Sequence, residues 1–217
     1  MEQNDPRVTV PIFTPQQVGW IAGMPASTVY SWMRETPTRP ALIHSLHPHS
    51  RGWPSIPLIG AAEAKAMRAM RTGGMSMRGV VEAVGFLRKQ GGPYTLANPR
   101  LLHDGFIALI RERQEYATID GQGVIGAAVQ RELRPFTLAA DGFVEALQGS
   151  MIPETEFDPR FVTGRLRFTK TGVPVFAVAG ALRAGDPPEA VANDYGVELR
   201  LVRAVQSADP DWLAAVA

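Results

Sequence analysis

The sequence predicts a mainly α-helical chain with a small β component. Three observations point there. Phe13–Arg34, FTPQQVGWIAGMPASTVYSWMR, has the punctuation of two short helices about a glycine turn. Glycines at 73–74, 91–92, 185 and 196 close further runs with helical spacing. Asp104-Gly105 between apolar residues is a two-residue hairpin signal. The expected order is an N-terminal winged helix-turn-helix over 1–92, a connecting region with a β-hairpin over 93–150, and a helix-turn-helix-like three-helix domain over 151–217.

In the first motif Thr14 caps a helix, Pro15 suits its first turn, and Gln17 completes a T-x-x-Q capping box. Val18, Ile21 and Ala22 give that helix one apolar face. Gly23 supplies the turn, and a second helix begins near Ala26 with Val29, Trp32 and Met33 inward. Ser27, Tyr30, Ser31 and Arg34 then point outward. Small hydroxyl side chains ahead of an arginine suit a helix that enters a major groove. Thr36–Pro57 is rich in Pro, Ser and His and reads as a loop or a wing beside the first motif, from which Arg39 and Arg51 would reach the phosphate backbone.

Leu58–Met70 has helical composition and stops at Gly73-Gly74. Ser76 caps the next helix, Met77–Gln90, whose Val80, Val84 and Leu87 form a stripe. In the middle, Leu101–Ile110 reads as the hairpin and Tyr116–Ile119 as a strand. Val124–Leu133 reads as a helix and Phe143–Leu147 as a short one. Phe161–Arg167 and Phe168-Thr169 read as extended. Val175, Val178 and Leu182 line a helix ended by Gly185; Asp186-Pro187-Pro188-Glu189 gives a cap, first-turn prolines and an acidic third position. That helix ends at Gly196, and the next turns Val202 and Val205 inward and Arg200, Arg203 and Gln206 outward. The tail is capped by Asp209 and displays Trp212, Leu213 and Val216.

The net charge of +1 over 217 residues hides an asymmetry. Residues 1–92 carry ten Lys+Arg against five Asp+Glu; residues 151–217 carry seven against nine. A cationic front gives a nucleic-acid footprint at one end of the chain. No apolar run approaches the ~20 residues that span a bilayer. The polar start MEQNDPR has no signal-peptide pattern, and a chain without cysteine suits a reducing cytoplasm.

Gly121-x-Gly123-x-x-Gly126, with Asp141 beyond it, matches the dinucleotide fingerprint in form. No second parallel strand follows, so a turn into a helix is the better reading. His44, His47 and His49 invite a metal, yet Pro48 interrupts them and no nearby carboxylate or thiol completes a set. There is no nucleophile–base pattern, phosphate loop or HExxH. The sequence therefore points to a non-enzymatic protein without cofactor or metal.

The N-terminal unit resembles a MerR-type helix-turn-helix domain, with Pro25 standing where such recognition helices usually carry a capping serine. The end resembles a small domain of uncharacterised function found in many antitoxins, on Asp158-Pro159, Gly164-Arg165, Thr171-Gly172 with Pro174, Arg183 with Gly185, and Asp194-Tyr195-Gly196. The two in this order are similar to a VapB-type antitoxin of a type II toxin–antitoxin pair. That resemblance implies an operon autoregulator that binds double-stranded operator DNA and neutralises a PIN-domain ribonuclease toxin. PIN enzymes hold metal through clustered carboxylates, so Arg165, Arg167, Arg200 and Arg203 are the candidates to meet the toxin. Trp212 is either a docking anchor or packing on the chain's own last domain. A homodimer is expected, because one short helix reads too few base pairs. Two other readings stay open: a ligand-responsive MerR-like regulator without a toxin, and an interaction module whose helix-turn-helix is vestigial.

Overall fold

Apolar spacing and caps place the first three helices: α1 (Pro6–Thr9), α2 (Pro15–Ala22) and α3 (Ala26–Met33). The structure, a computed structural model, describes residues 4–37, 39–112 and 127–216. The predicted strand at 116–119 and the glycine motif at 121–126 lie outside the described residues. After α3 come α4 (Leu58–Thr72), α5 (Met77–Gly91), a 3-10 turn (Thr95–Ala97), α6 (Pro99–Glu112) and α7 (127–133). Strands β1 (Phe136–Leu138), β2 (Val144–Gln148), β3 (Thr155–Phe157) and β4 (Leu166–Phe168) follow. The chain ends in α8 (Val175–Ala184), α9 (Pro188–Tyr195), α10 (Leu199–Ser207) and α11 (Pro210–Val216).

The chain is thus mainly helical with a small sheet of order β1-β2-β3-β4. β3 pairs antiparallel with β2 (Leu147 opposite Phe157) and with β4 (Glu156 opposite Arg167). Two compact units result, residues 1–145 and 146–217, and the division falls inside β2.

In the first unit α4 is the central helix. Every residue from Leu58 to Met67 is buried, Glu63 and Lys65 included. A helix buried all round must be lined by neighbours on every side, and α1, α2, α5 and the 3-10 turn all pack against it. Its alanines let them come close. Phe13, Val18, Val29, Leu42, Ile43, Ile56 and Leu87 fill the surrounding core. In the second unit α8, α9 and α10 pack pairwise, and α8 also contacts β4 and α11. Phe157, Leu166, Phe168, Val178, Val191, Val202 and Val205 are buried there.

The capping signals hold at Thr14, Ser76 and Asp209. Several other expectations are corrected. Leu101–Ile110 is not a hairpin but the body of α6. The Asn98 side-chain oxygen accepts from the N–H groups of Arg100 and Leu101, each at 3.1 Å, and Pro99 starts the helix. Leu102, Gly105 and Leu109 are buried at helical spacing, and Gly105 sits against Leu87 of α5. The periodicity of the whole stretch overrides its two turn residues. The hairpin lies later, at Asp141-Gly142, where Gly142 takes φ 79° and the Ala139 N–H donates to Phe143 O at 2.9 Å.

Of the predicted helix Phe143–Leu147, Val144–Leu147 accordingly lies in β2 and Phe143 in the turn before it. Over 161–167 only the end is strand; Val162–Gly164 forms a 3-10 turn. Asp186 does not cap α9. Its N–H bonds back to Ala181 O at 3.2 Å in the turn that closes α8, and Pro187 stands at the cap instead. Leu213, expected on display, is buried.

Candidate functional site

The first candidate surface is built on α2 and α3. Thr14 and Gln17 close their capping box: the Gln17 N–H donates to Thr14 Oγ1 at 3.2 Å, and the Thr14 N–H to Gln17 Oε1 at 2.6 Å. At the other end of α2, Gly23 takes φ 61°, a left-handed conformation open to glycine. Lys65 Nζ of α4 donates to Ile21 O at 3.1 Å, and Arg68 donates to Ala22 O. Two cations thus sit on the carbonyl end of α2, where the helix dipole favours them. This grip fixes the turn from which α3 departs.

On α3, Val29 and Trp32 are buried while Ser27, Tyr30, Ser31 and Arg34 are exposed, and Met33, expected inward, is half-buried. Tyr30 is 57% exposed, so a large ring faces solvent beside two hydroxyls and a guanidinium. Arg39 lies at the foot of the same helix. Its Nη2 donates to Ser31 O at 2.7 Å and Arg34 O at 3.4 Å, satisfying carbonyls that the helix end leaves open.

The loop between α3 and α4 is tied down. Its base pairs with the segment before α2, the Ile56 and Phe13 N–H groups each donating to the other's carbonyl at 2.9 Å. The Leu46 N–H donates to Ser55 O at 2.7 Å, and Ser50–Trp53 forms the tip. Gly52 takes φ 85° there, presenting exposed Arg51 at the turn beside Trp53, whose ring meets His49 edge-on at 6.0 Å. Among the described residues no group of three or more His, Cys, Asp or Glu is arranged to hold a metal ion.

Glu63 and Arg88 were not singled out from the sequence, yet they fix the start of the loop that follows α3. Glu63 is wholly buried. It accepts from Arg88 Nη2 at 2.9 Å and from the His44 N–H at 2.5 Å, while Arg88 also donates to Ala41 O and Leu42 O. Burial pushes the Glu63 carboxyl above its ordinary range despite both donors, and burial pulls the His44 imidazole below its own. The available signal was a lone acid inside an alanine-rich helical run.

The second unit holds the remaining candidates. Arg167 donates to Glu156 at 2.8 Å and stacks on Phe161, its guanidinium carbon 3.9 Å from the ring centroid. Arg200 pairs with Glu198 at 2.9 Å and with Glu154, and Arg203 pairs with Glu189 at 2.8 Å. Arg165 is exposed over the Phe176 ring at 5.1 Å. Trp212 is half-buried on α11. Phe161 and Asp158, which shape the turn before β4, were not among the residues expected to act.

Comparison with known proteins places this architecture. Residues 156–207 match the family described as "Protein of unknown function (DUF433)". The crystal structure of Rv2018 from Mycobacterium tuberculosis is similar with a TM-score of 0.71 and 26% identity, covering 93% of this chain and 100% of that one. "Putative antitoxin VapB45" of Mycobacterium tuberculosis (strain ATCC 25618 / H37Rv) is 30% identical over 220 residues, which cover 88% of this chain and 90% of the relative. With that identity sustained over nearly the full length of both proteins, the chain belongs to the antitoxin family of VapB45.

Proposed function

We propose that the chain is a cytoplasmic, DNA-binding antitoxin that represses its own operon. It neutralises a cognate PIN-domain ribonuclease toxin by direct contact and acts as a homodimer. Kinship with an antitoxin supports the toxin-directed role. The observation that carries the DNA half is the outward face of α3. Ser27, Tyr30, Ser31 and Arg34 stand exposed on a helix whose departure angle is locked by Gly23, Lys65 and Arg68. The surrounding residues 1–92 carry twice as many cations as anions. In this reading the unit is MerR-like: α3 enters the major groove, Arg34 reads a base edge, and Arg51 at the wing tip meets phosphate. Arg39 steadies the end of α3 and keeps its remaining donors for the backbone. No helix among the described residues is long and apolar enough to cross a membrane.

The test is binding of the full chain to its own upstream DNA across a salt series. Arg34→Ala should cost about 1–3 kcal/mol and relax sequence preference. Arg51→Ala should weaken all sequences alike and lower the salt slope by about one. Equal slopes for wild type and both variants would remove the DNA assignment. For the toxin half, removing residues 151–217 should abolish neutralisation of the protein encoded by the adjoining reading frame. Full protection by the shortened chain would remove that half, and with it the roles of Arg165, Arg167, Arg200, Arg203 and Trp212 as partner contacts.

A further inference from the structure

Segment 158–167 of the second unit is held more firmly than a surface turn needs. Asp158 is 1% exposed. Its carboxylate accepts from the Arg160 N–H at 2.9 Å, Arg160 Nε at 2.9 Å and Arg160 Nη2 at 2.6 Å, and Arg167 Nη2 lies 3.7 Å away. The Phe161 N–H donates to Asp158 O at 3.1 Å, and the Gly164 N–H to Phe161 O at 2.8 Å. The turn then passes through Thr163 at φ 53°, a left-handed conformation that a β-branched residue rarely adopts, and Gly164 at φ 76°. Strain of this kind persists where the surroundings over-determine it, and it gathers at working surfaces.

This scaffold displays Phe161. Arg167 and Arg160 flank its ring, with guanidinium carbons 3.9 Å and 5.6 Å from the centroid, yet the residue stays 45% exposed. Arg165, three residues after the strained turn begins, is exposed and has no carboxylate partner among the described residues. The anions of the cluster lie inward, Asp158 at 1% and the Glu156 side chain at 16% exposure, while the Arg160 side chain is 45% exposed. The face is therefore cationic on a unit that carries seven cations against nine anions. The outward face of α10 offers less, because Arg200 and Arg203 are already paired and the exposed acid Glu198 stands at its cap.

We propose that this turn is the surface on which the second unit docks its toxin, with Phe161 as the anchoring ring and Arg165 as the cation that pairs with a partner carboxylate. The inference rests on the toxin-binding reading above and deepens it. Ring and arginine anchors held rigid before contact are the features of interaction hot spots, since little order remains to be gained on binding. The occupant has an acidic surface with an apolar socket for one ring.

The test uses the full chain with the protein encoded by the adjoining reading frame, scoring growth rescue on co-expression and affinity by titration calorimetry. Phe161→Ala and Arg165→Glu should each weaken affinity by roughly 30-fold or more, the range of hot-spot truncations. Arg183→Glu, at another exposed arginine without a carboxylate partner among the described residues, should leave it within about twofold. If Phe161→Ala lowers the melting temperature, Arg165→Glu carries the test alone, because that side chain makes no structural ion pair. Wild-type rescue matched by both variants overturns the docking face and leaves the toxin reading intact. Failure of the wild-type chain to bind the neighbouring protein overturns both.

Discussion

Beside the exposed Glu189 and Glu198, whose values are also lowered, Asp158 is the buried carboxylate through which the second unit answers to acid. Burial opposes its ionisation, but the Arg160 hydrogen bonds prevail and hold its carboxyl below the ordinary 3.8. A depressed native value adds stability that is fully present above the unfolded value and drains away as pH falls through the native one. Asp158→Asn should therefore cost about 1.5–3 kcal/mol at pH 7, the worth of hydrogen bonds to a charged group. The gap to wild type should close as urea melts are repeated below pH 3.8. A gap constant across pH would show that the charge is not what matters. Glu63 has the opposite sign: its raised carboxyl value means that protonation favours the fold, so its contribution declines as pH climbs from 4.5. Removing it by Glu63→Ala still strips half-buried Arg88 of its carboxylate partner, an expected loss of about 3 kcal/mol. The amide of His44, which donates to Glu63, should exchange faster in that variant.

At the scale of elements, caps and glycine stops were legible because they are local chemistry. Thr14, Ser76 and Asp209 each satisfy an N–H within three residues, so no tertiary knowledge is needed to find them. Asn98 does the same work for α6. Asn98→Ala should cost about 1 kcal/mol, read from the urea midpoint. Asp104-Gly105 misled because a turn dipeptide weighs nothing against Leu102 and Leu109 on one buried face with Asn98 ahead of them. The outward set Ser27, Tyr30, Ser31 and Arg34 was readable from period alone. The Glu63–Arg88 link was not, since 25 residues separate its partners and only the fold joins them. Phe161 was hidden for a different reason: Arg160 and Arg167 stand close to it in sequence, but nothing local shows that both guanidinium groups will turn onto its ring.

For the whole molecule, the proposed function assigns DNA to the cationic N-terminal part and the toxin to the anionic C-terminal part. A dimer of the proposed kind has a geometric signature. Footprinting should show two protected half-sites about 10 base pairs apart, or a multiple of that. Inserting half a helical turn between them should abolish tight binding. Unchanged affinity after such an insertion would argue for a chain that reads DNA as a single copy.

The unbroken burial of α4 has one more consequence. Its alanines leave no slack, so drift there is costly, while α3 is carried on α2, which packs against α4, and its exposed side is no part of that frame. If α3 reads DNA as proposed, a lineage could acquire a new operator by exchanging four exposed side chains and leave the interior as it was. Diversity of address would come cheaply, on a chassis that hardly changes.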